Sequence, residues 1–259
     1  MPKPKRIRTD IAWSEVDRIT VKGRDLCSEI LGKLTLGDLA FLLITDRMPS
    51  ARESTVFNAI AVTLVEHGLT PSALAARLTY TGAPEAMQAA VAAGLCCLGS
   101  VFVGSMETAA RVLQEALPDP KAQVDLPALA KAAVAKLRAE KQLVPGIGHT
   151  LHKPVDPRAP RLFEIAAENG YSGPYVKLMQ LIAEEAQAVS GKTLPVNATG
   201  AIGAIASELG LPWQIIRGIG VFSRSIGLVG HILEEMKDPM AYQVKTWAEK
   251  EATAHLRDA

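Results

Sequence analysis

Apolar residues recur every three or four positions along most of the 259-residue chain, the spacing of one face of an α-helix and not the alternation of a half-buried strand. In LTLGDLAFLLITD, Leu36, Leu39, Ala40 and Leu43 share a face behind Thr35, whose hydroxyl can cap the first turn. SARESTVFNAIAVTLVEHG opens with Ser50 and Glu53 in capping-box spacing, and the pattern predicts a helix running to a stop at Gly68. Pro71 then occupies a first-turn position of the next helix. Further helices are predicted over 84–98, 106–117, 126–140, 159–168, 174–190, 200–209, 213–221 and 224–237. Only RITVKG (18–23) reads as strand. The fold class is therefore all-α. Polar or Pro-rich joints at 118–125 and 191–197 predict a small helical domain, residues 109–199, resting on a larger one made of 1–108 and 200–259.

Composition narrows the function classes. Hydrophobic residues are 48% and charged residues 21% of the chain, an ordinary globular balance that excludes disorder. A net charge of +1 gives no field for nucleic acid or an anionic membrane, and the basic run PKPKRIR (2–8) reads as a solvated terminus. Cys27, Cys96 and Cys97 make neither a disulfide framework nor a zinc pattern, so a cytoplasmic location and no metal are expected. The uncharged run AMQAAVAAGLCCLGSVFVGSM (86–106) is long enough to span a bilayer, but its glycines and its isolation favour a buried helix, a turn and a second helix.

Two glycine-bearing stretches resemble nucleotide motifs and fail as such. SGKT (190–193) has alanine at 186, where a phosphate loop needs glycine, and no strand precedes it. GAIGAIASELG lacks the order of a dinucleotide site, and close helix packing accounts for its glycines. VPGIGHTLHKPVDPR (144–158) is different. Gly146 and Gly148, flanking Ile147, allow close backbone approach and suit an adenine or pantetheine chain lying against exposed amides. His149 follows at once and can titrate near neutral pH, and Arg158 is able to grip a carboxylate bidentately. From the residues alone, a structural loop and a binding edge stay equally open.

Four separated segments together resemble the citrate synthase superfamily, above all the short citryl-CoA lyases and the matching module of ATP-citrate lyase. EHGLTPSALAARL (66–78) is similar to the family's Asp-His-Gly segment and the Arg-bearing helix after it. AAVAAGLCCLGSVFVGSMETAARVL (89–113) is similar to its helix, Gly-rich turn and next helix. VPGIGH…DPR is its most specific motif, and GVFSRSIGLVGHILEE (220–235) resembles its Arg segment. The resemblance implies that His67 hydrogen-bonds the oxaloacetate end of the substrate and that His149 is the acid/base on the carbinol oxygen. It implies Arg158 and Arg224 on carboxylates, Phe102 in the substrate pocket, and Gly146, Ile147, Gly148 and Lys153 along coenzyme A. His231 is expected to be structural.

Two departures bear on the chemistry. Phe102 stands where citrate synthases have an enolate-stabilising histidine, as it does in the ATP-citrate lyase module. Thr199, in Asn197-Ala198-Thr199-Gly200, stands where the family has the aspartate that moves the α-carbon proton, and a hydroxyl cannot act as that base. The implied activity is cleavage or formation of a C–C bond between an acyl-CoA (acetyl-CoA) and a 2-oxo acid (oxaloacetate), with the CoA thioester as substrate and no permanently bound cofactor. The alternatives are a lyase or decarboxylase acting on another polycarboxylate, or a non-catalytic binder of such ligands. A homodimer is expected, with the apolar 86–106 run across its two-fold.

Overall fold

The structure is a computed structural model and describes residues 7–256, so most of the basic run 2–8 lies outside the described residues. A short antiparallel sheet, β1 (Ala12–Ser14), β2 (Ile19–Val21) and β3 (Arg24–Asp25) in that order, precedes a π-helical turn at Leu26–Ile30. The expected strand is β2, and its two partners are additional to the expectation. The α-helices that follow are α1 (Leu36–Thr45), α2 (Ala51–Val65), α3 (Pro71–Gly82), α4 (Met87–Cys96), α5 (Gly104–Ala116), α6 (Leu126–Ala139), α7 (Arg158–Glu168), α8 (Pro174–Ser190), α9 (Ala198–Glu208), α10 (Trp213–Lys237) and α11 (Ala241–Ala252).

The starts obey local chemistry. Thr35 and Ser50 both close capping boxes, with Asp38 and Glu53 reaching back to the cap amides, and Thr70 caps α3 ahead of Pro71. Helix α9 lies at the centre. Its Ala201, Ile202, Ala204, Ile205 and Ala206 are all fully buried, as expected of a helix that is apolar all round. Gly203 lets α9 touch α5: a Cβ there would stand 2.8 Å from the Met106 carbonyl oxygen and 3.0 Å from the Ala110 nitrogen. Gly200 and Gly203 of GAIGAIASELG are packing residues, as the sequence suggested, whereas Gly210 is left-handed, has nothing against it and follows the end of α9. SGKT ends α8, with Gly191 left-handed at the C-cap.

One large core runs from Phe41 and Phe57 through Met106, Leu113, Leu178 and Ile205 to Ile219, and takes residues from both sides of the boundaries at 109 and 199. Position 109 falls inside α5 and 199 in the first turn of α9. A second, small cluster of Ala76, Ala90, Leu228 and Ile232 joins α3, α4 and the later half of α10. Arg77 reinforces it: buried, it donates to Glu235 at 2.7 Å, Glu234 at 2.6 Å and the Asp238 carbonyl at 3.1 Å.

Three expectations change. The separate helices 213–221 and 224–237 are one 25-residue helix, α10, because Phe222-Ser223 carries neither proline nor a cap and Ser223 is buried within it. Helix α11 answers to no apolar periodicity, since only Ala241 of it is buried. The 86–106 run does fold as helix, turn and helix, but α4 buries only Ala90 and Gly94, and Val101 and Phe102 of the turn are 80% and 51% exposed. Among the described helices, α10 has the length and composition to cross a membrane, and Ile216, Ile219, Leu228 and Ile232 pack one face of it into the two cores.

Candidate active site

A helix that stops early brings the first histidine into place. Helix α2 ends at Val65, where Glu66 turns extended (φ −141°, ψ 149°), three residues before the expected stop at Gly68. The Glu66 carboxylate accepts the amides of His67 at 2.7 Å and Gly68 at 2.8 Å, and Gly68 takes the left-handed φ of +77° that this turn requires. His67 is thereby off the helix and does not cap it. Behind it, His231 of α10 lies 3.0 Å from Glu66, half-buried and outside the cavity lining.

The loop 146–156 supplies the opposite wall. Ile147 bridges antiparallel to Val196; the Gly148 amide donates to the Pro195 carbonyl at 2.8 Å, and the Asn197 amide to the Gly146 carbonyl at 3.0 Å. Both glycines are left-handed, and a Cβ on Gly146 would stand 2.5 Å from the Gly200 Cα. The expected free amide of Gly148 is therefore already engaged: these glycines set the loop against the start of α9. Asn197 completes the junction. Its side chain donates to the Gly148 carbonyl at 2.6 Å while its oxygen caps α9 through the amides of Thr199 and Gly200. Thr199 donates its hydroxyl to the same oxygen at 2.7 Å.

Between these walls lies a cavity of about 1060 Å³, lined by His67, His149, Arg158, Thr199 and Arg224, with Phe102 at its edge and Gly146, Ile147 and Gly148 along one side. Nine of the ten residues singled out from the sequence meet here. Lys153 does not: it is exposed and forms no part of this wall.

The two arginines are held differently. Arg224 is buried, donates from Nε to the Leu64 carbonyl at 3.2 Å and from Nη1 towards Thr70 at 3.4 Å, and has Glu66 at 3.9 Å. Burial lowers its pKa, Glu66 opposes the shift, and Arg158 adds to it. Arg158 turns Nε and Nη2 onto Asp156, at 3.0 and 2.9 Å, so the bidentate edge expected for a ligand is engaged within the chain and Nη1 takes no part in the pair. Asp156, 1% exposed, also accepts the amides of Arg158 and Ala198. Burial pushes its carboxyl up, but Arg158 and those amides outweigh this and hold it at about 2.

His149 Nδ1 accepts the amides of Leu151 at 3.1 Å and His152 at 3.0 Å. The neutral ring consequently keeps its proton on Nε2 as a donor. Burial lowers the pKa of His149, His152 and Arg158 add to this, and Asp156 opposes it. His67 is lowered too, by burial first and then by Arg158, His152, His149 and Arg224. His152 was not singled out from the sequence, yet its Nε2 lies 3.0 Å from His67 Nε2 and its ring 4.5 Å from that of His149. The one signal in the sequence was its place three residues after His149. Together the three rings present nitrogens within 4.8 Å of one another, a set that could hold a transition metal. Ligation through His149 Nε2 would, however, move that ring's proton to Nδ1, against two amide donors. Asp156 was likewise not singled out from the sequence.

Comparison with known proteins places the fold and the family. The structure of citryl-CoA lyase from Hydrogenobacter thermophilus superposes with a TM-score of 0.81 at 32% identity, covering 90% of this chain and 88% of that one. ATP citrate lyase from Methanothrix soehngenii, solved with citrate and coenzyme A, gives a TM-score of 0.74 at 22% identity over 92% of this chain and 40% of that one. A probable ATP-citrate synthase of Dictyostelium discoideum is 24% identical over 252 residues, 91% of this chain and 39% of the relative. The chain thus spans about two fifths of such longer relatives. Residues 11–244 match the family described as citrate synthase, C-terminal domain, and the chain belongs to the citrate synthase family.

Proposed function

We propose that this chain is a C–C lyase of the citryl-CoA type, cleaving a 3-hydroxy acyl-CoA into acetyl-CoA and a 2-oxo acid such as oxaloacetate, or joining them. The observation that carries the reading is the convergence of Arg158, Arg224 and the neutral imidazoles of His67 and His149 on one cavity large enough for an acyl chain and a polycarboxylate. The arginines bind carboxylates, Arg224 through the face of its guanidinium not turned to Leu64 and Thr70. His149 Nε2–H donates to the substrate's carbinol oxygen, holding the negative charge that gathers there as the bond breaks. Phe102 and the apolar turn before α5 shield the thioester end from water. Similarity to the lyase from Hydrogenobacter thermophilus supports the same substrate class.

Thr199 gives a second reading its one support: without a carboxylate at that place, the pocket suits a hydroxy polycarboxylate whose cleavage needs no proton moved at the α-carbon. We further propose a cytoplasmic homodimer. Ile226, Val229, Leu233 and Met236, spaced three or four residues apart, leave an apolar stripe of α10 exposed, which supports that assembly.

The test is incubation of the purified chain with citryl-CoA while acetyl-CoA and oxaloacetate are followed by mass spectrometry. Turnover that disappears in His149→Ala and weakens in binding by about 2–5 kcal/mol in Arg224→Ala is expected. A wild-type chain that binds citryl-CoA without splitting it would refute the lyase reading. Light scattering that finds a monomer at micromolar concentration would refute the dimer.

A further inference from the structure

The Nε2–Nε2 approach of His67 and His152 at 3.0 Å is a hydrogen bond with one proton in it. With one proton on each ring, one lies in this bond and the other sits on the Nδ1 of whichever ring accepts. In the arrangement with His67 donating, His67 presents a bare Nδ1 and His152 holds its own proton on Nδ1. His67 lines the cavity and His152 does not.

We propose that the two rings form a proton relay in which His67 Nδ1 takes the substrate's hydroxyl proton while its Nε2 proton crosses to His152. The proposal rests on the lyase reading. The O–H bond breaks and its proton goes to His67, the oxygen's pair forms the C=O of the 2-oxo acid, and the C–C bonding pair moves to the thioester enolate. The enolate carbon takes one proton from water and His152 returns one to solvent, so protons balance. His67 is the catalytic residue of the pair, and His152 is a positioning residue acting through it.

The surroundings decide where the charge rests. Facing the pair are His149 from the loop, Arg158 from the start of α7, Arg224 from α10 and Glu66 from the end of α2. Asp156 is already neutralised by Arg158, and Glu66 is shared with His231. Arg158 and Arg224 both act against a charge on His67. Passing the proton across the 3.0 Å bond carries the charge to a ring outside the cavity wall. His149 cannot substitute, because its bare nitrogen is turned to two backbone amides and its cavity-side nitrogen bears the proton.

The experiment uses the full chain and two variants. His152→Gln keeps a hydrogen-bond partner for His67 but cannot accept a proton, so kcat should fall roughly 10²–10⁴-fold with KM nearly unchanged and the acidic limb of the kcat–pH profile displaced. Added imidazole should restore part of the activity of His152→Ala. A His152→Gln enzyme with wild-type kcat and pH profile, or one altered only in KM, overturns the relay. Histidine ¹⁵N NMR of the ligand-free chain provides a readout that does not depend on turnover. The ring titration of His67 should move in His152→Gln, and an unmoved titration overturns the pair. A His67 titration that moves in His152→Gln, beside a wild type that leaves citryl-CoA intact, strikes the lyase reading, and the relay with it, while the hydrogen-bonded pair stands.

Discussion

Replacing Asp156 by asparagine keeps the shape of the side chain and removes its charge, at a residue that joins Arg158 to the start of α9. The carboxylate is 1% exposed and accepts from Arg158 Nε and Nη2 and from the amides of Arg158 and Ala198. Its pKa stands at about 2 in the folded chain against an ordinary 3.8. At 1.36 kcal/mol per unit, that depression corresponds to about 2 kcal/mol favouring the folded state wherever the group is ionised. The sign follows from the direction: a depressed carboxyl contributes fully above its unfolded value of 3.8 and loses the contribution as pH falls towards 2. Asparagine also turns an amide N–H towards one of the donors, adding about 1–3 kcal/mol for a buried mismatch. Asp156→Asn should therefore unfold about 3–5 kcal/mol more readily at pH 7, with the gap to wild type narrowing between pH 4 and 2. Urea titrations by circular dichroism across that range, read as midpoints at constant slope, measure it. Equal midpoints at pH 7, or a gap that holds constant down to pH 2, would refute the reasoning.

Three other outcomes are expected. Arg77→Ala leaves Glu235 buried without its partner and should cost about 3–5 kcal/mol in thermal or urea unfolding, while KM of the folded fraction stays unchanged because Arg77 is not part of the cavity. Thr199→Asp should raise deuterium exchange into the acetyl-CoA methyl group about 10²–10⁴-fold, read by mass spectrometry. It should also lower stability by about 1 kcal/mol, because the carboxylate meets the Asn197 oxygen that caps α9; rapid exchange by the wild type would show another base at work. Incubation with a chelator followed by desalting should leave citryl-CoA turnover unchanged, and activity lost with the metal and regained with zinc would show that the three imidazoles work as ligands.

Features decided within a few residues were legible in the chain. Thr35, Ser50 and Pro71 marked helix starts because caps act on the amides nearest to them. The motif around His149 marked the cavity because its glycines must lie against another segment. His152 escaped notice because its partner is 85 residues away and meets it only after α2 has stopped early. Arg158 was foreseen as a grip for ligand, but nothing in the order Asp-Pro-Arg tells that the guanidinium folds back onto Asp156. The exposure of α4 and of the turn bearing Phe102 was missed for a related reason: an uncharged run marks apolar surface, while the neighbouring elements decide whether it is covered.

Helix α10 carries Ile216 and Ile219 in the large core, Arg224 at the cavity, Leu228 and Ile232 in the small cluster and Glu235 under Arg77. A helix turns about 100° and rises 1.5 Å per residue. One residue inserted or deleted between Ile219 and Arg224 would swing the guanidinium by that angle about the axis, away from the cavity, even if both cores re-formed. The same change between Arg224 and Leu228 would spare the arginine and turn the small cluster out of register with α3 and α4. Length along this stretch is thus under a stricter constraint than residue identity. Descendants of this sequence can exchange one aliphatic residue for another in α10 far more freely than they can gain or lose a single position, and gaps among its relatives should gather in the joints at 118–125 and avoid 219–232.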